Sequence, residues 1–450
     1  MLIPTILIGV VVVLTIVGAL VRHRDTFHPA LFIGPMLAFH YCYSPLVLQD
    51  SGGFVGYLWS HHVERAQWVH LAGVGVLCLG LLWGSRRRPL HSLHAGDPPE
   101  QIDRVKLLRG SLVLGIAGLA SFAYGINYVG GFTQAYGRAY GGGSAESGWI
   151  RDTVLLCLPA LLLLTIANRG KRLQWKQVAL ALLLASPFLI HGLLGARRGP
   201  TFMGLAGPAM LFYMARGKRP SLPTLFLGGA VLGTLLLALV ANRQFVYLGT
   251  NLELDQVSTK YVRAGSGHDF IYGAGLVVVS DELQSFSWGT TYLVTLFVRP
   301  IPRAIWPTKY IDAAEFFDRP GLEENLGVDI RSFNSVLGWT AALGAAPGIV
   351  GDMWREFSWA MLLPLWGIGW FYGRTWYKAV TQRAGWVPTY CFAASLSLYL
   401  VMQTLEAMLY RFLFGLVPML LALRYARIDG RRSALTADTD TPTVPQSLTR

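Results

Sequence analysis

The chain has 450 residues, of which 53% are hydrophobic and only 14% charged, and its mean hydropathy is +0.43. That balance excludes an ordinary soluble domain and points to an integral membrane protein. The formal net charge of +13 invites a nucleic-acid reading, but the basic residues sit in short turns between apolar runs, which is the footprint of membrane topology.

About 20 apolar residues cross the hydrocarbon core, and the opening "LIPTILIGVVVVLTIVGALV" supplies them without a charge. It lacks the basic start and small-residue cleavage site of a secretion signal, so it reads as helix 1. Further spans follow near residues 29–48, 66–84, 107–128, 150–168, 177–194, 200–215, 222–241, 357–374, 386–405 and 409–425. The expected fold is therefore all-α and polytopic with 11 transmembrane helices, because backbone groups in lipid must be satisfied within each segment. Cys42, Cys78, Cys157 and Cys391 fall in or at the ends of these spans without metal-like spacing, so neither a disulfide framework nor a zinc site is expected.

Counting Lys and Arg in alternate loops gives 23 on one side and 15 on the other. The richer side packs its charges into short turns, whereas most of the other side's lie in one long segment that the positive-inside count discounts. This orientation puts the N-terminus outside and the C-terminus in the cytoplasm. Residues 1–241 then form helices 1–8, residues 242–356 a large extracytoplasmic loop, residues 357–427 helices 9–11, and residues 428–450 a polar, disordered cytoplasmic tail.

A loop that long is uncommon unless it has a job. Within it, "SWGTTYLVTLFV" (287–298) is too short to cross but apolar enough for the interface, and "RPIPRAIWPTKY" (299–310) is stiffened by its prolines. "NSVLGWTAALGAAPGIVG" (334–351), broken by Gly and Pro, reads as a re-entrant or interfacial piece. No internal repeat is visible.

One turn stands against the charge bias. In "LLGARRGP", between spans 6 and 7, Arg197 and Arg198 face outward on this topology. Arginines at a helix end can snorkel to lipid headgroups. Two adjacent ones in a glycine-rich turn instead suggest a partner, because charge near a membrane is costly when unpaired. The long loop adds Arg243, Lys260, Arg263, Arg299, Arg303, Lys309, Arg331 and Arg355. Arginine grips phosphate with two parallel hydrogen bonds, so an outward basic pocket suggests a lipid carrying phosphate or diphosphate.

The segment from Arg331 to Arg374, with "RPIPRAIWPTK" and "GARRGP", resembles the oligosaccharide repeat-unit polymerases of the Wzy type, which make O-antigen and exopolysaccharide. Their pattern is an arginine-bearing "R-x-x-W/F-P-x-K" in a large periplasmic loop, followed by "N-S-x-x-G" and "P-x-G-x-x-G-E/D-x-Y/W-x-N-F-G". This chain departs from the last motif by carrying Glu356 and Ser358 near its end. The resemblance implies a GT-C-like membrane glycosyltransferase in the bacterial inner membrane, with its active site facing the periplasm and no cofactor or metal. Donor and acceptor would both be polyprenyl-diphosphate-linked oligosaccharides, and a chain-length regulator would be a partner protein. The donor's reducing-end carbon is attacked by a hydroxyl of the second unit, and polyprenyl diphosphate leaves.

On that basis Arg197, Arg198, Arg299, Arg303, Lys309 and Arg355 are candidates to bind the diphosphate, where fixed cations would stabilise the charge growing on the leaving group. A carboxylate or histidine must accept the attacking hydroxyl's proton. Asp352 matches the family's acidic position and is the first candidate, with Glu356 beside it; His268, Asp269, Asp281 and Glu282 are the other outward candidates. Trp306, Tyr310, Asn334, Trp339 and Trp354 are candidates to contact sugar, although aromatic residues also furnish interfacial belts.

Other signals carry less. The only "D-x-D", Asp438 to Asp440, lies in the polar tail; in "SHHVE" the adjacent His61 and His62 do not share a helix face; and "YGRAYGGGSAESG" lacks the P-loop lysine. An O-antigen ligase has the same layout, but it shows a histidine beside asparagine where this chain reads Ser332, Phe333, Asn334. A transporter or flippase would carry mid-membrane charges and repeat symmetry, and the spans here are nearly free of both.

Overall fold

The computed structural model describes residues 1–52, 54, 56–86, 102–139, 141–142, 148–169, 174–250, 268–318, 330–340, 342, 345–381 and 385–427. Among these there is no strand; the backbone is helical apart from turns and one isolated bridge, Ile102 with Arg427. The expected tail at 428–450, with its "D-x-D", and the cations Lys260 and Arg263 lie outside the described residues.

Among the described residues, eight helices are long and apolar enough to cross a membrane: α1 (Leu2–His23), α2 (Ala30–Asp50), α3 (Ser60–Gly84), α4 (Arg104–Tyr128), α5 (Ile150–Ala167), α6 (Trp175–Leu193), α8 (Leu222–Ala241) and α13 (Leu405–Ala426). Helices also form at three further expected places: α7 (Arg198–Ala215), α11 (Leu362–Thr381) and α12 (Trp386–Met402). These three fall short in length or apolarity. α7 opens on Arg198, α11 ends with Arg374 and Lys378, and α12 is short and broken at Leu396. α12 is buried along almost its whole length, so its surroundings are protein.

The turns gather at two ends. At one, Arg22 Nη2 donates to Arg86 O (2.7 Å), Arg104 Nη2 to Asn168 Oδ1 (2.9 Å), Arg219 Nε to Asp25 Oδ1 (2.8 Å) and Asp103 N to Ala426 O (2.7 Å). Asp103 also accepts from Val105 N and Lys106 N, which caps α4. At the other end, Leu248 N donates to Tyr136 O (2.7 Å), and Arg65 pairs with Asp281 and Glu282.

α3 and α11 lie side by side and run parallel: Gly80 and Gly84 meet the carbonyls of Trp366 and Trp370, while Gly369 and Gly373 meet those of Leu77 and Leu81. A Cβ at any of the four would overlap a backbone oxygen. Each pair is spaced by four residues, "GLLWG" and "GWFYG", so small faces coincide and the backbones approach closely.

The described part of the long segment folds against the second end as short helices. α9 (Asp269–Glu282) and α10 (Gly348–Phe357) are both buried and pack on each other, with Gly273 beneath the Pro347 carbonyl. Segment 287–298 forms the helical pieces Thr290–Leu293 and Val294–Val298, with Leu293 and Phe297 exposed. In 334–351 there is no continuous span: helix Ile330–Leu337 ends, and α10 begins after Pro347.

Candidate functional site: a cationic cavity

The turn that carries the doubled arginine is built by close packing. Arg197 N donates to Gly192 O (2.8 Å), which closes the end of α6, and Ala196 takes up a left-handed backbone (φ 48°) while fully buried. Gly199 lies against the Tyr399 ring where a Cβ would overlap it, so the start of α7 is pressed onto α12. The two guanidinium groups are thereby held at the mouth of α7 rather than trailing in solvent.

They line a cavity of about 840 Å³ whose walls come from many elements. Its charged residues are Arg151, Arg197, Arg198, Arg243 and Arg411, with His40, His191 and His268, against the two carboxylates Asp152 and Asp269. With neutral histidines this leaves three positive charges in excess. α2 widens by one residue per turn over Phe39–Tyr43, and this stretch contributes Phe39 and His40 to the wall. Tyr399, Met402 and Gln403 come from the end of α12, and Leu237, Val240 and Ala241 from α8.

Both carboxylates are engaged. Asp269 pairs with Arg198, and Asp152 lies 3.4 Å from Arg299 and 3.5 Å from Arg151. Arg411 stacks over Tyr399 at 4.5 Å and donates to Ala407 O. Arg197 reaches Gly141 O at 3.5 Å, and no carboxylate among the described residues pairs with it. His268 caps α9 by accepting from Phe270 N (3.1 Å). Burial, the largest cause, holds its imidazole below the ordinary range; Asp269 opposes that and Arg198 adds to it.

The structure brings together only part of what the sequence suggested. Arg197 and Arg198 are in the cavity wall, and Arg299 stands beside it, stacked on Tyr410 (4.3 Å) and bonded to Asp152. Asp352 and Glu356 are not in the wall. Both are fully buried in α10, where Arg355 Nη2 joins them at 3.3 and 2.8 Å. Asp352 Oδ2 also accepts from Tyr292 Oη (2.7 Å) and Leu405 N (2.9 Å), and Glu356 Oε2 from Gly289 N (3.1 Å). This triad ties α10 to the turn at 287–289 and to the start of α13, so Arg355 serves these acids and not an open phosphate site. Burial pushes the Asp352 carboxyl up to about 7, with Arg355 opposing.

Lys309 is likewise turned inward. Its amine donates to the carbonyls of Val298 (3.2 Å), Arg299 (3.0 Å) and Ile301, closing the proline-rich bend, and burial lowers its pKa. Arg303 is exposed, 5.5 Å over the half-buried Tyr310 ring, and Trp306 donates to Asp312. Trp339 is buried and donates to Tyr57 O (2.8 Å), and Trp354 is buried between Phe286 and Trp359. Neither presents a face to a sugar. Asn334 is exposed on helix Ile330–Leu337, away from the cavity lining. His61 and His62 meet edge to face, and no cluster that would hold a metal occurs among the described residues.

Arg151, Arg243, Arg411 and His191 complete the cavity. Arg243 already stood among the outward cations; the other three enter through convergence of elements distant in sequence. The fold and cavity together define a helical membrane protein with a cationic chamber at one end. No protein-family model, curated protein or solved structure matches the chain.

Proposed function

We propose that the chain polymerises polyprenyl-diphosphate-linked oligosaccharide repeat units at the outer face of a bacterial cytoplasmic membrane. In this reading all 11 expected helices cross, counting α7, α11 and α12 with the eight longer ones, and the cavity end faces out. The observation that carries the reading is the cavity itself: five arginines against two carboxylates, in about 840 Å³, at one end of a membrane-embedded bundle.

A diphosphate leaving group gains charge as its bond to the sugar breaks. Pre-placed guanidinium groups in a weakly screened site stabilise that charge without reorganising. Arg197 and Arg198 are the first candidates, since the turn holds them rigidly, and Arg151, Arg243 and Arg411 would take the second phosphate or the acceptor's headgroup. Asp352 and Glu356 drop out as proton acceptors because they are sealed from the cavity by their partners.

The test is reconstitution of purified protein in liposomes with lipid-linked oligosaccharide and no ion gradient. Longer lipid-linked chains support a polymerase. Transfer of glycan to a lipid A core would indicate a ligase, and movement of glycan across the bilayer without lengthening would indicate a flippase. Deleting the gene should leave single repeat units on the cell surface.

A further inference from the structure

Polymerisation needs a group to receive the acceptor hydroxyl's proton, and with Asp352 sealed in α10 the cavity wall must supply it. Three of its five classical bases are committed, and a fourth, His40, is sealed by burial. Asp269 is held by Arg198, Asp152 by Arg151 and Arg299, and the His268 ring caps α9. His40 is only 1% exposed. His191 is different: it is partly exposed, lies in the wall, and has no hydrogen-bond partner among the described residues.

Its position is fixed by shape. The Nδ1 and Cε1 edge of the imidazole lies against Gly142, whose φ of 83° and lack of space exclude any side chain there, and the Tyr136 ring stands 6.4 Å away. The edge bearing Nε2 is thus the one turned from the loop. Arg197, from the next turn of chain, is close by, as are Arg151 and Arg411. A base here would share one chamber with the cations that meet the leaving group.

We propose that His191 is the catalytic base of the transfer, an inference that rests on the polymerase reading above. Its Nε2 takes the proton of the acceptor hydroxyl, and the hydroxyl oxygen forms the new bond to C1 of the donor sugar. The bond from C1 to the diphosphate oxygen breaks, and its electron pair leaves on polyprenyl diphosphate. The imidazolium then gives its proton to water. General base catalysis of this kind contributes about 10²–10⁴-fold.

The experiment compares wild type with His191→Gln in liposomes, measuring chain extension under saturating donor, the donor KM, and calorimetric binding of inorganic pyrophosphate. The expected result is a kcat reduced by about 10²–10⁴-fold, with KM and pyrophosphate affinity within about threefold of wild type, a change of under 1 kcal/mol. If H191Q does not retain pyrophosphate binding, His191→Ala is assayed with added imidazole, which should restore extension. Extension by wild type with an undiminished rate in H191Q, or no rescue of an inactive H191A, overturns the base. A wild-type protein that binds pyrophosphate yet extends nothing overturns the polymerase reading, and the base with it.

Discussion

Asp269 stands where a bound anion would compete with it. Its carboxylate occupies Arg198 in the cavity wall, so a diphosphate must share that guanidinium with a resident negative charge. Replacing Asp269 by Asn raises the cavity's excess positive charge from three to four. At an effective dielectric of about 20 and a separation of about 6 Å, one unit charge contributes about 2.8 kcal/mol per unit of ligand charge. Salt screens over about 8 Å, and allowing half to survive leaves about 1.4 kcal/mol for each unit of ligand charge, so the multiply charged pyrophosphate should bind at least about tenfold tighter. The assay is calorimetric titration of inorganic pyrophosphate into protein in detergent at about 0.15 M salt, the ionic strength assumed for the screening. Unchanged or weaker binding would refute the argument. An equal gain in the Arg198→Ala background would show that Arg198 is not the group released, because coupled neighbours do not add.

Arg197→Ala removes a guanidinium with no acidic partner among the described residues, so protein stability should hold while pyrophosphate binding weakens by about 10–100-fold, the range expected for lost charge-assisted hydrogen bonds, and chain extension stops; a full titration with normal extension counts against the site. Asp352→Asn should leave pyrophosphate affinity unchanged and alter stability with pH. The folded carboxyl sits at about 7, above its unfolded value near 3.9. The stability it contributes is therefore present below about pH 4 and lost as pH rises through 7. Wild type should lose about 2.6 kcal/mol between pH 5 and pH 8 that the variant does not lose, and parallel thermal-unfolding curves would dismiss the account. Gly369→Val should drive α3 from α11, because its side chain would meet the Leu77 carbonyl. Loss of a protease-resistant folded fraction in detergent is the expected outcome, and normal resistance would contradict it.

The apolar runs told their own story: a stretch such as "LIPTILIGVVVVLTIVGALV" has one way to satisfy its backbone in lipid, and helices form at each of the expected places. The run at 386–405 read as a span like the others, yet α12 is shorter than the eight long helices and protein surrounds it, so its burial was not visible in its apolarity. At the site, Arg197 and Arg198 were legible because two charges in a short apolar turn have few benign explanations. Arg151, Arg411 and His191 were not, since one sequence does not say which turns converge. The spacing of Asp352 and Arg355 did carry a signal that pointed the other way: an acid and a base three apart on a short helix pair with each other, whereas the bond from Arg355 to the adjacent Glu356 is not one that helix spacing announces. Lys309 follows a proline-rich bend whose freed carbonyls its amine satisfies, and nothing in its neighbours marks it as inward-facing.

The four glycines shared by α3 and α11 have a genetic consequence. They touch no charge, and the seam they form continues through Gly73 to Val350 in α10 and Leu365 in α11, which seats α10 and its buried acids on the bundle. An unbiased hunt for loss-of-function alleles should gather bulky replacements at Gly80, Gly84, Gly369 and Gly373 alongside arginine changes. The two groups would separate by dosage: overproduction restores activity to neither, but only the arginine alleles accumulate full-length protein in the membrane.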